Sequence, residues 1–376
     1  MKKESSATSS RHSDLVASSS SAHFVASGSQ LDELLTQIAW HDRIAVDTEA
    51  DSLHCYREKL CLLQISLPTL HGDHDFIIDP LANLDLSPLT AALAKKEIVL
   101  HGADFDLRLL RRSLHFLATR IFDTVIAARL LGIRQFSLAA LVERYFDVKL
   151  AKGSQRANWA RRPLPRRMAE YAVNDTHYLL PLAQKLEGEL LQRGRMEWFR
   201  QSCQRAIEQA ALERTRDPDE VWRIRGAGVL RGRAAAVLRS LWQWREKEAE
   251  TADRPPFHIL RNEELLRAAE SFAAGKTPDY RHFSSRRRRA FRQAGERALQ
   301  SPESEWPIAP MRVGMRPGPE TLRRSEELRA RRDRAAHELQ VEANVLAPRA
   351  TLDAIAAEQS RVQALLLPWQ RTLLGI

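Results

Sequence analysis

Residues 43–51 read RIAVDTEAD, and this stretch decides the predicted fold. The apolar run Ile44-Ala45-Val46 predicts a buried β-strand, and Asp47 and Glu49 follow it two positions apart. Side chains at positions i and i+2 of a strand face the same side of a sheet, so both carboxylates are expected to point the same way. Buried acids are costly unless they are paired, solvated or bound to a cation. Taken alone, the two acids are also compatible with a charged cap at an exposed strand end.

A third acid follows a second apolar strand. Residues 97–101 (EIVLH) predict this strand, and HGADFDLRLL (101–110) predicts the start of a helix after it. Asp106 is preferred over Asp104 as the site residue because it directly precedes the periodic leucines and so lies on the first helical turn. The helix macrodipole also favours an acid there, so a purely structural carboxylate is the alternative.

The fourth acid lies on a predicted helix that begins near Arg166 and runs into the 180s. The segment YAVNDTHYLL (171–180) places Asp175 four positions after Tyr171, so a phenol and a carboxylate share one helix face. A phenol with an ordinary pKa of about 10 is a poor general base, so Tyr171 is expected to orient a water. The alternative is that both residues are surface groups of an amphipathic helix.

Together these positions predict a metal site. The four predicted site residues are carboxylates: Asp47, Glu49, Asp106 and Asp175. Their oxygens are hard ligands that suit Mg²⁺ or Mn²⁺. Two such ions about 3.5–4 Å apart can drive in-line hydrolysis of a phosphodiester, one by activating a water and the other by stabilising the leaving 3′-oxygen. His101 and His177 are expected to be structural because the oxygens already suffice. The sequence has no P-loop and no strand-anchored GxGxxG, so nothing indicates ATP or a dinucleotide.

Strands dominate the start of the chain and then alternate with helices. Predicted strands cover 23–27, 43–47, 60–67, 75–79 and 97–101, and predicted helices cover 89–96, 105–114, 122–131 and 138–145. Asp123 is interpreted as an N-cap in the third of these helices. This order predicts an α/β fold, a mixed sheet flanked by helices, with the acidic site at one edge of the sheet.

The second half of the chain predicts only helices and contains a repeat. Leu241, Arg245 and Ala249 match Leu328, Arg332 and Ala336, Ile259-Leu260 match Val345-Leu346, and Leu266 matches Leu352. Two small helical bundles are therefore predicted, separated by the basic, Pro-containing stretch 275–318.

The net charge of +10 is concentrated in this second half, where residues 201–376 hold 32 Lys+Arg against 24 Asp+Glu. The stretch 281–297 holds seven Arg and one Glu, including the run Arg286–Arg289. Such a surface favours a polyanionic partner, and the preference for Arg over Lys favours phosphate contacts. A merely solubilising basic surface is the alternative.

Three further features set the class of protein. The Ser-rich residues 1–21 lack the apolar segment of a secretory signal and predict a disordered tail. No run of roughly 18 apolar residues occurs, so no membrane span is predicted. The cysteines form no CxxC pair and fit a reducing cytoplasm, which is the predicted location.

With these motifs the chain resembles the ribonuclease D family of the DEDD 3′–5′ exonuclease superfamily. The resemblance rests on DTE (47–49) continued by REKLCLLQIS (57–66), on HGADFDLRLL, and on Tyr171 four positions before Asp175, which marks the tyrosine (DEDDy) subgroup. The segment 152–164 (KGSQRANWARRPL) is also similar to the family. Residues 221–249 resemble the start of an HRDC domain, a helical module of this family, and 318–376 resemble a weaker second copy.

The resemblance implies a ribonuclease H-like exonuclease domain at 22–210 and HRDC-like domains at 216–300 and 318–376. It implies that two divalent cations, Mg²⁺ or Mn²⁺, are held by the four acids and that the catalytic residues are Asp47, Glu49, Asp106, Tyr171 and Asp175. The implied activity is removal of 3′-terminal nucleotides from RNA as nucleoside 5′-monophosphates, with single-stranded 3′ ends and tRNA precursors as substrates. DNA hydrolysis by the same site and a non-catalytic binding module are the alternatives.

A basic, polar loop precedes the helix that carries Tyr171. Contacts to phosphates or stacking on a base are predicted for four of its residues, Lys152, Gln155, Trp159 and Arg162. A solvated connection between two elements is the alternative for the same loop.

Overall fold

The computed structural model describes residues 22–69, 72–151, 153–213, 217, 220–307 and 317–376. The predicted Ser-rich tail at 1–21 lies outside these residues. Within the described ranges, no helix combines the length and the apolar composition that a membrane crossing requires.

A mixed sheet organises the first half of the chain, as the sequence predicts. In the described part of the chain its strands are β1 (His23–Val25), β2 (Arg43–Ala50), β3 (Leu60–Thr69), β4 (Gly72–Ile78), β5 (Glu97–Leu100) and β6 (Arg120–Asp123), in the spatial order β1-β4-β3-β2-β5-β6. β2, β3 and β4 pair antiparallel as a meander, whereas β5 and β6 extend the sheet in parallel from β2.

The acidic strand β2 is an inner strand of this sheet. It lies between β3 and β5, so the prediction that the site lies at a sheet edge is wrong. The meander formed by β3 and β4, with β1 beyond it, extends the sheet past β2 on one side, and β5 and β6 extend it on the other. Ile44, Ala45 and Val46 are consequently almost fully buried, as the apolar run indicates.

The sequence pattern does not indicate β6. It predicts one helix over 122–131, whereas Arg120–Asp123 form a short strand and the helix begins at Thr124. Ile121 and Phe122 continue the apolar pattern of the helix that follows, and only the pairing of the strand with β5 reveals its conformation. The predicted N-cap is confirmed, because the Asp123 carboxylate accepts hydrogen bonds from the backbone N–H groups of Val125 (2.8 Å) and Ile126 (3.3 Å).

Helices cover the sheet. They are α1 (Gly28–Ala39), α2 (Ser87–Leu93), α3 (Asp104–Leu114), α4 (Thr124–Leu130), α5 (Leu138–Phe146), α6 (Arg166–His177), α7 (Leu179–Gln192) and α8 (Met196–Ala211). The single helix predicted from Arg166 into the 180s is two helices, which meet at Tyr178. Helix α6 packs against β2, β3 and β4, and this contact positions the site.

Two helical units follow. The first helical unit comprises α9 (Gly232–Thr251), α10 (Pro256–Ile259), α11 (Asn262–Ala273) and α12 (Ser285–Gln300). The second helical unit comprises α13 (Pro319–Leu339), α14 (Ala343–Leu346), α15 (Arg349–Ala357), α16 (Val362–Leu365) and α17 (Pro368–Leu374). The first unit has an extensive core of its own, whereas part of the second unit packs into the core of the sheet region.

The two units share a repeated framework, with a register that differs from the sequence match. Arg245 donates to the carbonyl of Leu260, and Arg332 donates to the carbonyl of Ala347, each 15 positions further on and each at 3.2 Å. This bond pairs Leu260 with Ala347, so the predicted match of Leu260 with Leu346 is wrong by one residue. The sequence match aligned Leu260 with Leu346 because the two residues are identical. The hydrogen bonds of the two arginines instead align Leu260 with Ala347.

A buried arginine, Arg195, links the second unit to the sheet region by hydrogen bonds. The guanidinium of Arg195 is almost fully buried and donates to the carbonyls of Leu130 (2.5 Å) and Leu339 (2.8 Å), the last residues of α4 and α13. The negative ends of two helix dipoles therefore meet at one positive charge. Trp369 of α17 also stacks on Trp198 of α8, with ring centroids 5.1 Å apart.

Candidate active site

The sheet presents Asp47 and Glu49 on the face that α6 covers. Asp47 lies opposite Gln64 of β3, and Glu49 lies opposite Leu62. Residues that are directly opposite in an antiparallel pair have side chains on the same face, and α6 packs over this part of β2 and β3. Both acids keep some exposure to solvent although protein atoms surround them.

Helix α6 supplies the third carboxylate. The ligand atoms of Asp47, Glu49 and Asp175 all lie within 4.8 Å of one another. One strand and one helix, far apart in sequence, thus bring three acids into a single cluster. An all-oxygen donor set of this size fits a hard divalent cation.

Asp106 of α3 lies beside this cluster and is not one of the three acids whose ligand atoms lie within 4.8 Å of one another. Its side chain is buried and accepts a hydrogen bond of 2.5 Å from the hydroxyl of Thr48, which lies between the two acids of β2. It lies close enough to raise the pKa of Asp47, Glu49 and Asp175. Asp104, the competitor in the sequence, is exposed and forms an ion pair of 2.8 Å with Arg108.

The electrostatics show that the cluster is unfavourable as four bare anions. Burial raises the pKa of Glu49 to about 9, that of Asp175 to about 7 and that of Asp106 to about 6, and neighbouring carboxylates add to each shift. Burial, followed by repulsion from the other acids, also raises the pKa of Asp47. Groups that resist ionisation in a partly solvated cleft form a site that a cation would stabilise.

Tyr171 faces Asp175 from one turn earlier in α6. Interaction with the phenol partly offsets the raised pKa of Asp175, and the side chain of Gln155 partly offsets the raised pKa of Tyr171, so both residues lie beside the phenol. Burial, with Asp175 next, raises the pKa of Tyr171 above its ordinary value, so the phenol stays protonated. Its ring lies 6.0 Å from that of Trp159. The phenol is therefore a fixed hydrogen-bond donor and not a base.

The loop before α6 differs from its predicted role at two positions. Trp159 is 1 % exposed and supports Tyr171, so its ring is not accessible for stacking on a base. Arg162 donates from two nitrogens to the Asp79 carboxylate, each at 2.6 Å, and is not free for a phosphate. Gln155 is exposed and touches Tyr171, and Lys152 lies outside the described residues. Residue type alone could not separate a buried Trp and a paired Arg from a nucleic-acid contact.

The histidines near the motifs have structural partners. His101 shares a hydrogen bond of 2.8 Å with the Thr124 hydroxyl, and His177 shares one of 2.8 Å with the Asp75 carboxylate.

Thr48, the hydrogen-bond partner of Asp106, was not predicted from the sequence. A hydroxyl residue between two site acids is the signal that could have identified it.

The first helical unit contacts the loop that follows the acidic strand. The backbone N–H of Tyr56 donates to Asp253 (3.2 Å), Arg57 pairs with Glu250 (2.9 Å), and the Tyr56 ring packs against the core of the first unit. In the same loop, His54 shares a hydrogen bond of 3.1 Å with the carbonyl of Arg156, next to Gln155. This contact between the helical unit and the site's surroundings was not predicted.

Comparisons with known proteins agree with the geometry. A 3′–5′ exonuclease domain matches residues 22–191, and an HRDC domain matches residues 234–274. Ribonuclease D of Pseudomonas paraeruginosa is 31% identical over 277 residues, which are 71% of this chain and 72% of that protein. The chain belongs to the ribonuclease D family. The resemblance that the motifs carry is thus confirmed.

Other members of the ribonuclease D family give the same result. Ribonuclease D of Zymomonas mobilis is 35% identical over 62% of this chain, which spans only 59% of that relative's length. The crystal structure of Escherichia coli RNase D, described as an exoribonuclease involved in structured RNA processing, has a TM-score of 0.69 and 25% identity. That match covers 94% of this chain and 98% of the other.

The arginine run of this ribonuclease D homologue lies at the start of α12. Arg286 and Arg287 both bond the buried carboxylate of Glu248, at 3.1 and 3.2 Å. Arg288 pairs with Asp279 at 3.5 Å, and Arg289 is exposed. Three of the four positions therefore have protein partners. Arg286, whose side chain is 72% exposed despite its ion pair, and Arg289 are the two that a polyanion can reach most easily.

Proposed function

We propose that this chain is a metal-dependent 3′–5′ exoribonuclease that removes 3′-terminal nucleotides from RNA as nucleoside 5′-monophosphates. RNAs with single-stranded 3′ ends, tRNA precursors above all, are the proposed substrates. One observation carries the proposal: a member of the ribonuclease D family gathers Asp47, Glu49 and Asp175 within 4.8 Å, with Asp106 and Tyr171 beside them. The reducing cytoplasm stays the predicted location.

The acids are the proposed ligands of two divalent cations, Mg²⁺ or Mn²⁺. Bound cations of this kind lower the pKa of a coordinated water and stabilise the leaving oxygen of a phosphodiester. The donor set fits such ions because it consists of carboxylate oxygens and because its members resist ionisation without a compensating positive charge.

The protein's own residues position the reactants. Thr48 fixes the orientation of the Asp106 carboxylate through its 2.5 Å hydrogen bond. Tyr171 stays protonated beside Gln155 and Asp175, and the proposed role of its phenol is to orient the attacking water. Orientation of this kind lowers the barrier because the water is held in line with the phosphorus before the reaction begins.

The helical units are proposed as HRDC-like domains at 216–300 and 318–376, following an exonuclease domain at 22–210. The repeated bond from Arg245 to Leu260 and from Arg332 to Ala347 supports two copies of one module. RNA contact by the first unit is supported by the exposed Arg289 at the head of α12. Shape recognition and phosphate contacts, rather than base reading, are the modes such a surface suits.

A digestion time course tests the function. A 5′-labelled RNA with a free 3′-hydroxyl is compared with the same RNA carrying a blocked 3′ end and with DNA of the same sequence. We expect Mg²⁺-dependent shortening of the free RNA one nucleotide at a time, protection of the blocked RNA, and slower digestion of DNA. A tRNA precursor with a 3′ extension tests the proposed substrate.

The control variant is Asp104→Asn, which changes an exposed acid two positions from the site residue Asp106. It should shorten the free RNA one nucleotide at a time, as the wild type does. Internal cleavage, digestion in EDTA or equal digestion of the blocked RNA would contradict the proposed function.

A further inference from the structure

Gln64 is a polar residue in the apolar strand β3, directly opposite Asp47. It is 0 % exposed, and its other neighbour across the sheet is Ile77 of β4. Because opposite residues of antiparallel strands share a face, its side chain lies on the same side as the Asp47 carboxylate, the side that α6 covers. Gln64 is thus a buried amide in the layer that holds the site.

The amide of Gln64 has no hydrogen-bond partner. Neither its Nε2 nor its Oε1 bonds any atom of the residues that the structure describes. Buried amides are nearly always satisfied, and one that is not destabilises the folded protein. An unsatisfied group next to a functional site therefore needs a reason.

The surroundings do not require an amide at this position. Leu62, two positions earlier on the same face, is an apolar residue that is also 0 % exposed, and Ile77 beside Gln64 is apolar and buried. Ser66, two positions later, is polar but fully bonded, to Asp75 at 2.6 Å and to Thr176 at 2.8 Å. An apolar side chain at position 64 could therefore fill the same space and pack against the same neighbours.

The strand register places the Asp47 carboxylate within reach of the Gln64 amide. The Cβ atoms of opposite residues lie about 4.5–5.5 Å apart, and a glutamine amide reaches beyond that by rotation about its own side-chain bonds. Its N–H group can donate to one carboxylate oxygen of Asp47, leaving the other oxygen for a cation. Outer hydrogen bonds of this kind orient metal-ligating carboxylates and contribute to affinity.

We propose that Gln64 is a positioning residue whose amide N–H holds the Asp47 carboxylate in the cation-loaded site. The inference deepens the proposed function and rests on it for the identity of the site. The Asp47 carboxylate would give the Gln64 amide, which has no partner among the described residues, the hydrogen bond that a buried amide requires.

The test compares Gln64→Met with Leu62→Met. Methionine keeps the length of glutamine and removes the amide, and the Leu62 variant makes the matched apolar change opposite Glu49. Mn²⁺ affinity is measured by calorimetry, stability by thermal unfolding in EDTA, and kcat and KM on a 3′-hydroxyl RNA. Gln64→Leu carries the same test if the methionine variant does not fold.

We expect Gln64→Met to unfold in EDTA at the same or a higher temperature than the wild type, because an unsatisfied group is gone. Its Mn²⁺ affinity should fall about 10–100-fold, and kcat should fall with KM unchanged. Leu62→Met should bind Mn²⁺ as the wild type does. Unchanged Mn²⁺ affinity in Gln64→Met overturns the inference, and so does a loss of stability in EDTA, which would reveal a structural partner for the amide.

The two proposals fail separately. A wild-type protein that binds Mn²⁺ but leaves RNA intact would remove the proposed function, while a weaker Mn²⁺ complex in Gln64→Met would still support the role of the amide.

Discussion

Two groups of acid lie where α6 meets the sheet, and they differ in burial and in their hydrogen-bond partners. Asp75, whose side chain is 1% exposed, accepts from the Ser66 hydroxyl at 2.6 Å and shares a 2.8 Å bond with His177. Asp47, Glu49 and Asp175 instead face one another, and burial with mutual repulsion raises their pKa values. The hydrogen-bonded acid is expected to stabilise the fold, whereas the acids that repel one another are the proposed cation ligands.

The largest expected effect is on catalysis, from Asp47→Asn. Removing one charge from the repelling group should lower kcat by about 100–1000-fold or more, since the site loses a ligand aimed at the reaction. The same change should raise the stability of the cation-free protein by about 1 kcal/mol, because it relieves repulsion. Single-turnover digestion and urea unfolding in EDTA check the two results. A variant that loses activity and stability together would place Asp47 among the structural acids.

Asp75→Asn should show the reverse. Its carboxylate bonds Ser66 and His177 in the interior, so we expect a loss of roughly 3 kcal/mol in the free energy of unfolding. Activity per folded molecule should change little, because Asp75 is not among the clustered acids. Urea unfolding followed by fluorescence measures the loss, with the exposed Asp104→Asn as the control near zero. If Asp75→Asn were as stable as the wild type, Asp75 would not be a stabilising acid, and the proposed difference between the two groups would be wrong.

The pH dependence of the cation-free protein sharpens the contrast further. A carboxyl whose pKa is higher in the folded than in the unfolded protein contributes stability below its unfolded pKa of about 4, and that stability is lost as pH rises through the folded pKa. With Asp106 at about 6, Asp175 at about 7 and Glu49 at about 9, stability in EDTA should fall between pH 5 and pH 9. Each proton contributes up to about 1.4 kcal/mol per pH unit.

Added Mg²⁺ should flatten this pH profile, because binding displaces the protons that the acids retain. Thermal unfolding across the pH range, with and without the cation, measures both curves. Parallel curves with and without Mg²⁺ would show that the clustered acids do not bind it.

The smallest expected effect is that of Tyr171→Phe. In the proposed mechanism the phenol orients a water and does not remove its proton, so kcat should fall about tenfold while KM and Mn²⁺ affinity stay near the wild type. Tyr178→Phe, at the junction of α6 and α7, is the matched control. Equal kcat in Tyr171→Phe and the wild type would remove the phenol from the proposed mechanism.

Much of the site could be predicted from local sequence. The period of a strand places Asp47 and Glu49 on one face, and the period of a helix places Tyr171 one turn from Asp175. Preference for Asp106 over Asp104 also followed from helix phase, and the structure buries the one and exposes the other. These features depend on neighbours in sequence, which periodicity describes well.

The features that were missed depend on long-range contacts. Strand β6 becomes a strand only by pairing with β5, and Trp159 is buried because it packs in one cluster with apolar residues of β3, β4 and α6. The repeat register follows from the carbonyl that Arg332 meets across its unit. The unsatisfied amide of Gln64 is likewise visible only once its opposite strand is known.

Tyr56 shows that the nuclease and the first helical unit depend on each other. It follows Glu49 closely in sequence, yet its ring packs against the core of α9–α12. A shortened protein that ends after α8 would leave this ring in water and strip Arg57 of Glu250. The loop that leads out of the acidic strand would then have lost its contacts with the first helical unit, so a kinetic defect of the truncated protein would report on this loop as well as on the RNA contact proposed for that unit.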